Sequence, residues 1–278
     1  MVLYALPHEK DLLHRPLRRG MGLPEDPSSS LEATGHDACS FPARDLRCHL
    51  LRLEKRLSLA ALLPGDFPPW QTVFYHFRRF RLSGLWHRVF TILRALERKR
   101  NGKDPNPSAA IVDSQSVKTV EESAGSPGYD AHKSGYDAHK HVKGRKRHLL
   151  VDTLGLPLSI YVTPADVQDR VGARCLLARL KPLASRLKKI WADGAYGGEP
   201  LAKWCQEEGG WDLEVVEPNR EAEGFEVMPK RWIVERTFSW IGRNRRMSKD
   251  YERSVQTSEC LMKVATIRLI LRRLARSA

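Results

Sequence analysis

Apolar residues recur along this chain with two periods, one near 3.6 and one near 2, and together they predict an α/β order. Val73, Phe77 and Phe80 stand at i, i+4 and i+7 after the turn Asp66-Phe-Pro-Pro-Trp70, whose prolines suit a helix start. A second helix is predicted over Leu85–Arg100, with Val89, Ile92, Leu93 and Leu96 inward. Asn101–Pro107 reads as a polar linker. Ala109–Asp113 is a short apolar strand ending in a carboxylate, and Ser123–His141 is polar and loop-like. His148–Asp152 and Leu158–Thr163 read as a hairpin across Thr153-Leu-Gly-Leu-Pro157. The remaining pattern predicts a helix over Asp169–Leu180, a strand over Leu187–Asp193, a helix over Pro200–Glu208 and a short strand over Leu213–Val216. Two more helices follow, over Lys230–Arg246 and Thr257–Arg276. The last carries the stripe Val264, Ile267, Leu271, Leu274, with Arg268, Arg272 and Arg273 on its other side.

Residues 1–62 fit none of this. The stretch is rich in Leu, Arg, Pro, Ser and His, has one Val and no Ile or Trp, and shows helical periodicity only over Leu46–Leu62. Local rules that disagree with one another argue against an evolved core, so a poorly ordered or aberrant segment is expected here. One internal repeat stands out: Gly128-Tyr-Asp-Ala-His-Lys-Ser134 is followed by Gly135-Tyr-Asp-Ala-His-Lys-His141. Two heptads are too few for a solenoid and read as a loop duplication rather than as a metal cluster.

Composition narrows the function. The chain has 278 residues, 47 Lys plus Arg against 33 Asp plus Glu, and a net charge of +14. A field of that sign favours a polyanionic partner, most commonly nucleic acid. Five scattered cysteines without CxxC spacing suggest neither a zinc site nor a disulfide framework. No apolar run approaches the roughly 18 residues of a membrane span, so a protein of the cytoplasm is expected.

Three acids carry the candidate chemistry. Asp113 and Asp193 each end a strand, and Glu235 lies on a helix four residues after Arg231. Carboxylates at strand ends project into the crevice above an open α/β sheet. Three of them can hold two Mg²⁺ ions about 4 Å apart, one activating the attacking oxygen and the other stabilising the leaving oxygen of a phosphoryl displacement. Taken singly, each Asp also reads as a turn former or helix cap. Glu235 also reads as a partner of Arg231 worth about 0.2–0.5 kcal/mol. No His–Asp pair accompanies Ser114 or Ser116 at a spacing that would suggest a serine hydrolase.

The surrounding motifs decide between these readings. In order they are Asp66-Phe-Pro-Pro-Trp70, Val112-Asp-Ser-Gln-Ser-Val-Lys118, Lys143-Gly-Arg-Lys-Arg-His148, Val151-Asp-Thr-Leu-Gly155, Ile190-Trp-Ala-Asp-Gly-Ala-Tyr196, Arg231-Trp-Ile-Val-Glu-Arg-Thr-Phe238 and Asp250-Tyr-Glu252. From about Leu63 to Ala275 the chain resembles the bacterial insertion-sequence transposases of family five, within the DDE class. The resemblance implies a ribonuclease H-like α/β fold, a five-stranded mixed sheet with flanking helices. It also implies catalytic, metal-holding Asp113, Asp193 and Glu235, with Mg²⁺ or Mn²⁺ as cofactor. The family's tyrosine–arginine–glutamate–lysine signature keeps Arg231 and Glu235 but has Met228 and Gly242 at its outer positions.

The implied organisation is an aberrant segment (1–62), a helical DNA-binding remnant (63–106) carrying Arg78, Arg79 and Arg81, and a catalytic domain (107–278). The implied partner is double-stranded DNA, both element ends and target, handled by a homo-oligomer near the bacterial nucleoid. Two basic groups are the expected DNA contacts: Lys143, Arg145, Lys146 and Arg147 beside the first strand, and Arg231, Arg236 and Arg243 around Glu235. Trp232 and Trp240 are candidates for stacking on a splayed base. The alternative is an inactive DNA-binding remnant, in which residues 1–62 are an out-of-frame translation joined near Leu62. A ribonuclease H-like nuclease without strand transfer is a third reading.

Overall fold

The structure is a computed structural model that describes residues 68–120, 135–137, 142–216 and 230–276. The expectations for residues 1–62, most of the tandem heptad and Met228 lie outside the described residues. Six strands form one sheet: β1 (Ala109–Lys118), β2 (Gly135–Asp137), β3 (Val142–Asp152), β4 (Pro157–Pro164), β5 (Lys189–Ala192) and β6 (Asp212–Val215). Five of them run in the order β4-β3-β1-β5-β6, and the three-residue β2 is added against the start of β3. β4, β3 and β1 are antiparallel neighbours, whereas β1, β5 and β6 are parallel. This is the mixed five-stranded sheet of the ribonuclease H-like fold. The helices are α1 (Trp70–Leu82), α2 (Leu85–Arg100), α3 (Asp169–Leu180), α4 (Glu199–Gly209), α5 (Arg231–Gly242) and α6 (Val255–Ala275). None of the described helices is long and apolar enough to cross a membrane.

Successive residues of a strand point to opposite faces, and the two cores follow that alternation. Ile111, Leu149 and Val151 pack with Phe77, Phe90, Phe238, Leu261 and Val264, beneath α1, α2, α5 and α6. Ala110, Val112 and Leu150 pack on the other face with Leu176, Leu177, Tyr196 and Leu201, beneath α3 and α4. Both faces of the central strands are therefore covered.

Three sequence expectations change. β1 does not end at Asp113 but runs on to Lys118, because β3 pairs with it along the whole of Ala110–Lys118. Only the parallel pairing with β5 stops, at Ile111 opposite Trp191. The inward face of α2 is Trp86, Phe90, Arg94 and Glu97, while Ile92 and Leu96 are about half exposed. Polar anchoring sets that orientation: Arg94 donates to the Pro157 and Leu158 carbonyls, and Arg98 pairs with the buried Asp152. Asp152 in turn accepts from the Leu154 and Leu156 amides, closing the β3–β4 turn. With Phe77, Trp86 and Phe90 in the main core, α1 and α2 share the sheet's packing, so the linker after Asn101 is not a boundary of packing.

The third change concerns the basic run. β3 starts at Val142, so Arg145, Lys146 and Arg147 are strand residues that alternate across a sheet covered on both sides. Arg145 and Arg147 point toward α5 and α6, Lys146 and His148 toward α3. All four are buried.

Candidate active site

Strand register gathers the predicted acids. Carrying the β1–β5 pairing two residues past Ile111 and Trp191 sets Asp113 opposite Asp193. By alternation both lie on the face shared with Ile111 and Trp191, beneath α5, which carries Glu235. Asp113 is half-buried and accepts from the Ser114 amide at 2.7 Å. Asp193 caps the short turn Gly194–Tyr196, accepting from the Ala195 amide at 2.9 Å.

Arg231 ties the helix to the sheet. Its Nε lies 3.1 Å from Glu235 Oε1 and its Nη2 lies 3.5 Å from Asp193 Oδ2. The two acids thus share one guanidinium. Arg231 and Glu235 are 35% and 52% exposed. Partly solvated pairs of this kind hold by no more than about 1 kcal/mol, so the arrangement yields readily to a stronger ligand.

On the other face of β1 lies a polar network absent from the sequence reading. Ser114 donates to Asp169 at 2.7 Å, Ser116 donates to Asp137 at 2.5 Å, and buried Lys146 sits 3.1 Å from Asp169 and 3.9 Å from Asp137. Lys146 also donates to the Val167 carbonyl at 2.9 Å. These contacts fix Ser114 and Ser116, the two serines that follow Asp113 in the -Asp-Ser-Gln-Ser- segment. The Tyr196 phenol is buried next to Ser114, and its pKa is pushed well above the usual range by burial first and then by the fields of Asp113 and Asp169. It stays protonated at the edge of the acid pair. Only its place three residues after Asp193 hinted at this, and nothing local marked Asp169 as more than the start of a helix.

The basic residues divide. Arg145 makes a 3.0 Å ion pair with Asp250 and donates to the Glu252 and Arg253 carbonyls. Arg147 donates to the Met247 and Lys249 carbonyls, and burial lowers its pKa. The reading of Arg145, Lys146 and Arg147 as DNA contacts is therefore corrected, because their charge is spent on interior partners. Lys143 and Arg243 are exposed, and Arg231 and Arg236 are half-buried. Arg236 lies 4.4 Å and 4.5 Å from the rings of Trp232 and Trp240, and Arg273 lies 4.3 Å from Trp240. Both indoles are thus stacked on arginines of the protein itself.

Among the described residues no three His, Cys, Asp or Glu side chains are close enough together to hold a metal ion. The donor set nonetheless fits a hard divalent cation. Mg²⁺ takes one or two carboxylates and fills its remaining positions with water and substrate phosphate, which the facing Asp113 and Asp193 satisfy, with Glu235 one guanidinium away.

A family model described as "Transposase DDE domain" matches residues 104–270, a span that contains all three acids. A Burkholderia cepacia protein, provisionally named as the transposase for insertion sequence element IS402, is 28% identical over 129 residues. That match covers 44% of this chain, and the chain spans 60% of that protein's length.

Proposed function

This chain belongs to the transposase DDE domain family, and on that premise we propose that it cuts DNA at the ends of an insertion element and joins the freed 3′-hydroxyl to target DNA. The observation that supports this most is the convergence of Asp113, Asp193 and Glu235 on one face of the sheet, with Arg231 linking two of them. In this reading Asp113 and Asp193 hold a divalent cation, Mg²⁺ or Mn²⁺, and Glu235 completes the set on release from Arg231. Such a cation, when bound, supplies Lewis acidity at the phosphodiester and favours deprotonation of the attacking water or 3′-hydroxyl.

The chain's own residues do the positioning. Ser114 and Ser116, held by Asp169, Asp137 and Lys146, fix the strand just after Asp113. Tyr196, kept protonated, closes the site toward the α3 side. Arg231 has a guanidinium fork suited to the phosphate of the strand being cut, and it gains that partner as it gives up Glu235. Lys143, Arg236 and Arg243 extend the contact along the DNA, and two ends are brought together by a homo-oligomer. The finer assignment to family five follows from the same motifs.

The test is nicking of element-end DNA with Mg²⁺ or Mn²⁺, comparing the native chain with Asp193→Asn, followed by a strand-transfer assay. Metal-dependent nicking lost in the variant, together with joined products from the native chain, is the expected result. Nicking without joining would leave a nuclease. A folded protein that binds DNA and never nicks it would leave the inactive remnant, which the Arg231–Glu235 pairing favours if that pair does not open.

A further inference from the structure

The α5–α6 junction contains a cavity of about 370 Å³, of whose lining the reading above uses only Arg243. Among the described residues five arginines line it, Arg243, Arg268, Arg272, Arg273 and Arg276, together with Trp240, Asn244, Ala265 and Leu269. That volume falls in the lower part of the range of small-ligand sites, roughly 300–1,000 Å³. The walls are organised. Arg268 is buried and donates to Asn244 Oδ1 at 2.8 Å. Arg273 lies against the Trp240 ring and 3.9 Å from Glu97. Burial lowers the pKa of Arg273, Glu97 opposes that shift, and Arg236 adds to it by repulsion. Guanidiniums gathered around one cavity make a local positive field that attracts anions.

We propose that this cavity binds a phosphate group of the DNA backbone, outside the cutting site. The choice of DNA rests on the function proposed above, while the anion chemistry rests on the cavity itself. Its position fits. Arg243, which caps the C-terminus of α5 in helical conformation, lies eight residues from Glu235, about 12 Å along the axis and within about 80° of rotation. Along one DNA strand that distance corresponds to roughly three to four nucleotide steps. A strand cut beside Glu235 therefore passes the cavity within the same turn of duplex. Arginine suits the task because its fork binds two phosphate oxygens at once. Trp240, already covered by Arg236 and Arg273, makes one wall of the cavity rather than a platform for a base.

The experiment uses the full chain and the double variant Arg272→Gln/Arg276→Gln. Both residues are exposed at the cavity, so circular dichroism should show an unchanged fold. Binding of a fluorescent duplex is measured between about 50 and 200 mM salt, in an Asp193→Asn background so that no strand is cut. Loss of one phosphate contact lowers the salt slope by about 0.9, and loss of a second lowers it by about 1.8. A fall of that size with weaker binding supports the proposal, and an unchanged slope overturns it. A parallel thermal-shift titration with inorganic phosphate separates the two sources of the anion. Stabilisation of the native chain but not the variant, with equal DNA slopes, would make the cavity a free-anion site and overturn the assignment to DNA. Because binding is read without cleavage, a chain that binds through the cavity but never nicks would refute the proposed activity alone. A chain that nicks with an unchanged slope would refute the cavity alone.

Discussion

Replacing Arg145 with methionine removes a guanidinium that is completely buried on β3. The cation is 3.0 Å from Asp250 and donates to the carbonyls of Glu252 at 2.7 Å and Arg253 at 3.1 Å. Asp250 would keep hydrogen bonds from Ser258 Oγ at 2.7 Å and from the Glu252 amide at 3.0 Å, but would lose its charge partner while 1% exposed. Breaking a buried pair from one side costs about 3–5 kcal/mol, because the other charge stays in the interior. Against a total stability of about 5–15 kcal/mol that is a large share. At about 2–4 °C per kcal/mol for a domain of this size, the melting temperature falls by roughly 6–20 °C. Denaturant unfolding followed by circular dichroism measures the loss. Arg145→Met/Asp250→Asn should recover part of it, since the carboxylate is neutralised along with the guanidinium that faced it. DNA binding by the folded variant should keep its salt dependence. A loss under about 1 kcal/mol, with a salt slope lower by about 0.9, would place Arg145 on a phosphate and refute the buried assignment.

Two further predictions rest on single positions. An added Cβ at Gly144 would stand 2.0 Å from the Val117 carbonyl oxygen, a backbone atom of the neighbouring strand. Gly144→Ala should therefore cost at least about 3 kcal/mol in an unfolding titration, and a neutral result would contradict the pairing of Gly144 with Lys118. Burial pushes the thiols of Cys205 and Cys260 up to about 11 and about 12. In the native protein at mild alkaline pH, iodoacetamide should spare both and label the half-buried Cys175 first among the described cysteines. Unfolded thiols ionise near about pH 8.5 while these two remain neutral, so their contribution is complete below that pH and is lost as pH rises through 11 to 12. Equal labelling of all three would refute their burial.

Most elements could be read from periodicity, and α2 and α3 match their predicted spans residue for residue. What escaped depends on partners far away in the chain. A strand covered on both faces normally reads as an apolar run, but the middle of β3 carries Arg145, Lys146, Arg147 and His148. Each finds its partner elsewhere: Arg145 at Asp250, Lys146 at Asp169, Arg147 at Met247 and Lys249, His148 at Thr163. Polarity alone made the segment look like a surface loop. The same cause misplaced the face of α2, where Ile92 and Leu96 looked inward but Arg94, Glu97 and Arg98 are buried. The acids could be singled out because motif order marks them, and Arg231 joins Asp193 to Glu235 in the fold. Ser114, Asp169 and Tyr196 were not, because a hydroxyl or carboxylate acquires its role here only from groups brought beside it by the fold.

These interior cations alter what the net charge of +14 means. Arg98 with Asp152, Arg145 with Asp250, and Lys146 with Asp169 each remove one charge of either sign from the balance. The surplus therefore stays with cations outside such pairs. Among the described residues Lys143, Arg243, Arg272 and Arg276 are exposed. Lys143 shares the β3 alternation of Arg145 and Arg147, toward α5 and α6, and the three arginines line or flank the cavity between those helices. Asp113 points to that same side of the sheet. Buried pairs thus set the shape of the strand that carries Asp113, and Lys143 and the α5–α6 arginines add positive charge on the side to which Asp113 points. A metal-held phosphodiester would occupy one end of that field, and the α5–α6 arginines would restrain the strand a few nucleotides away.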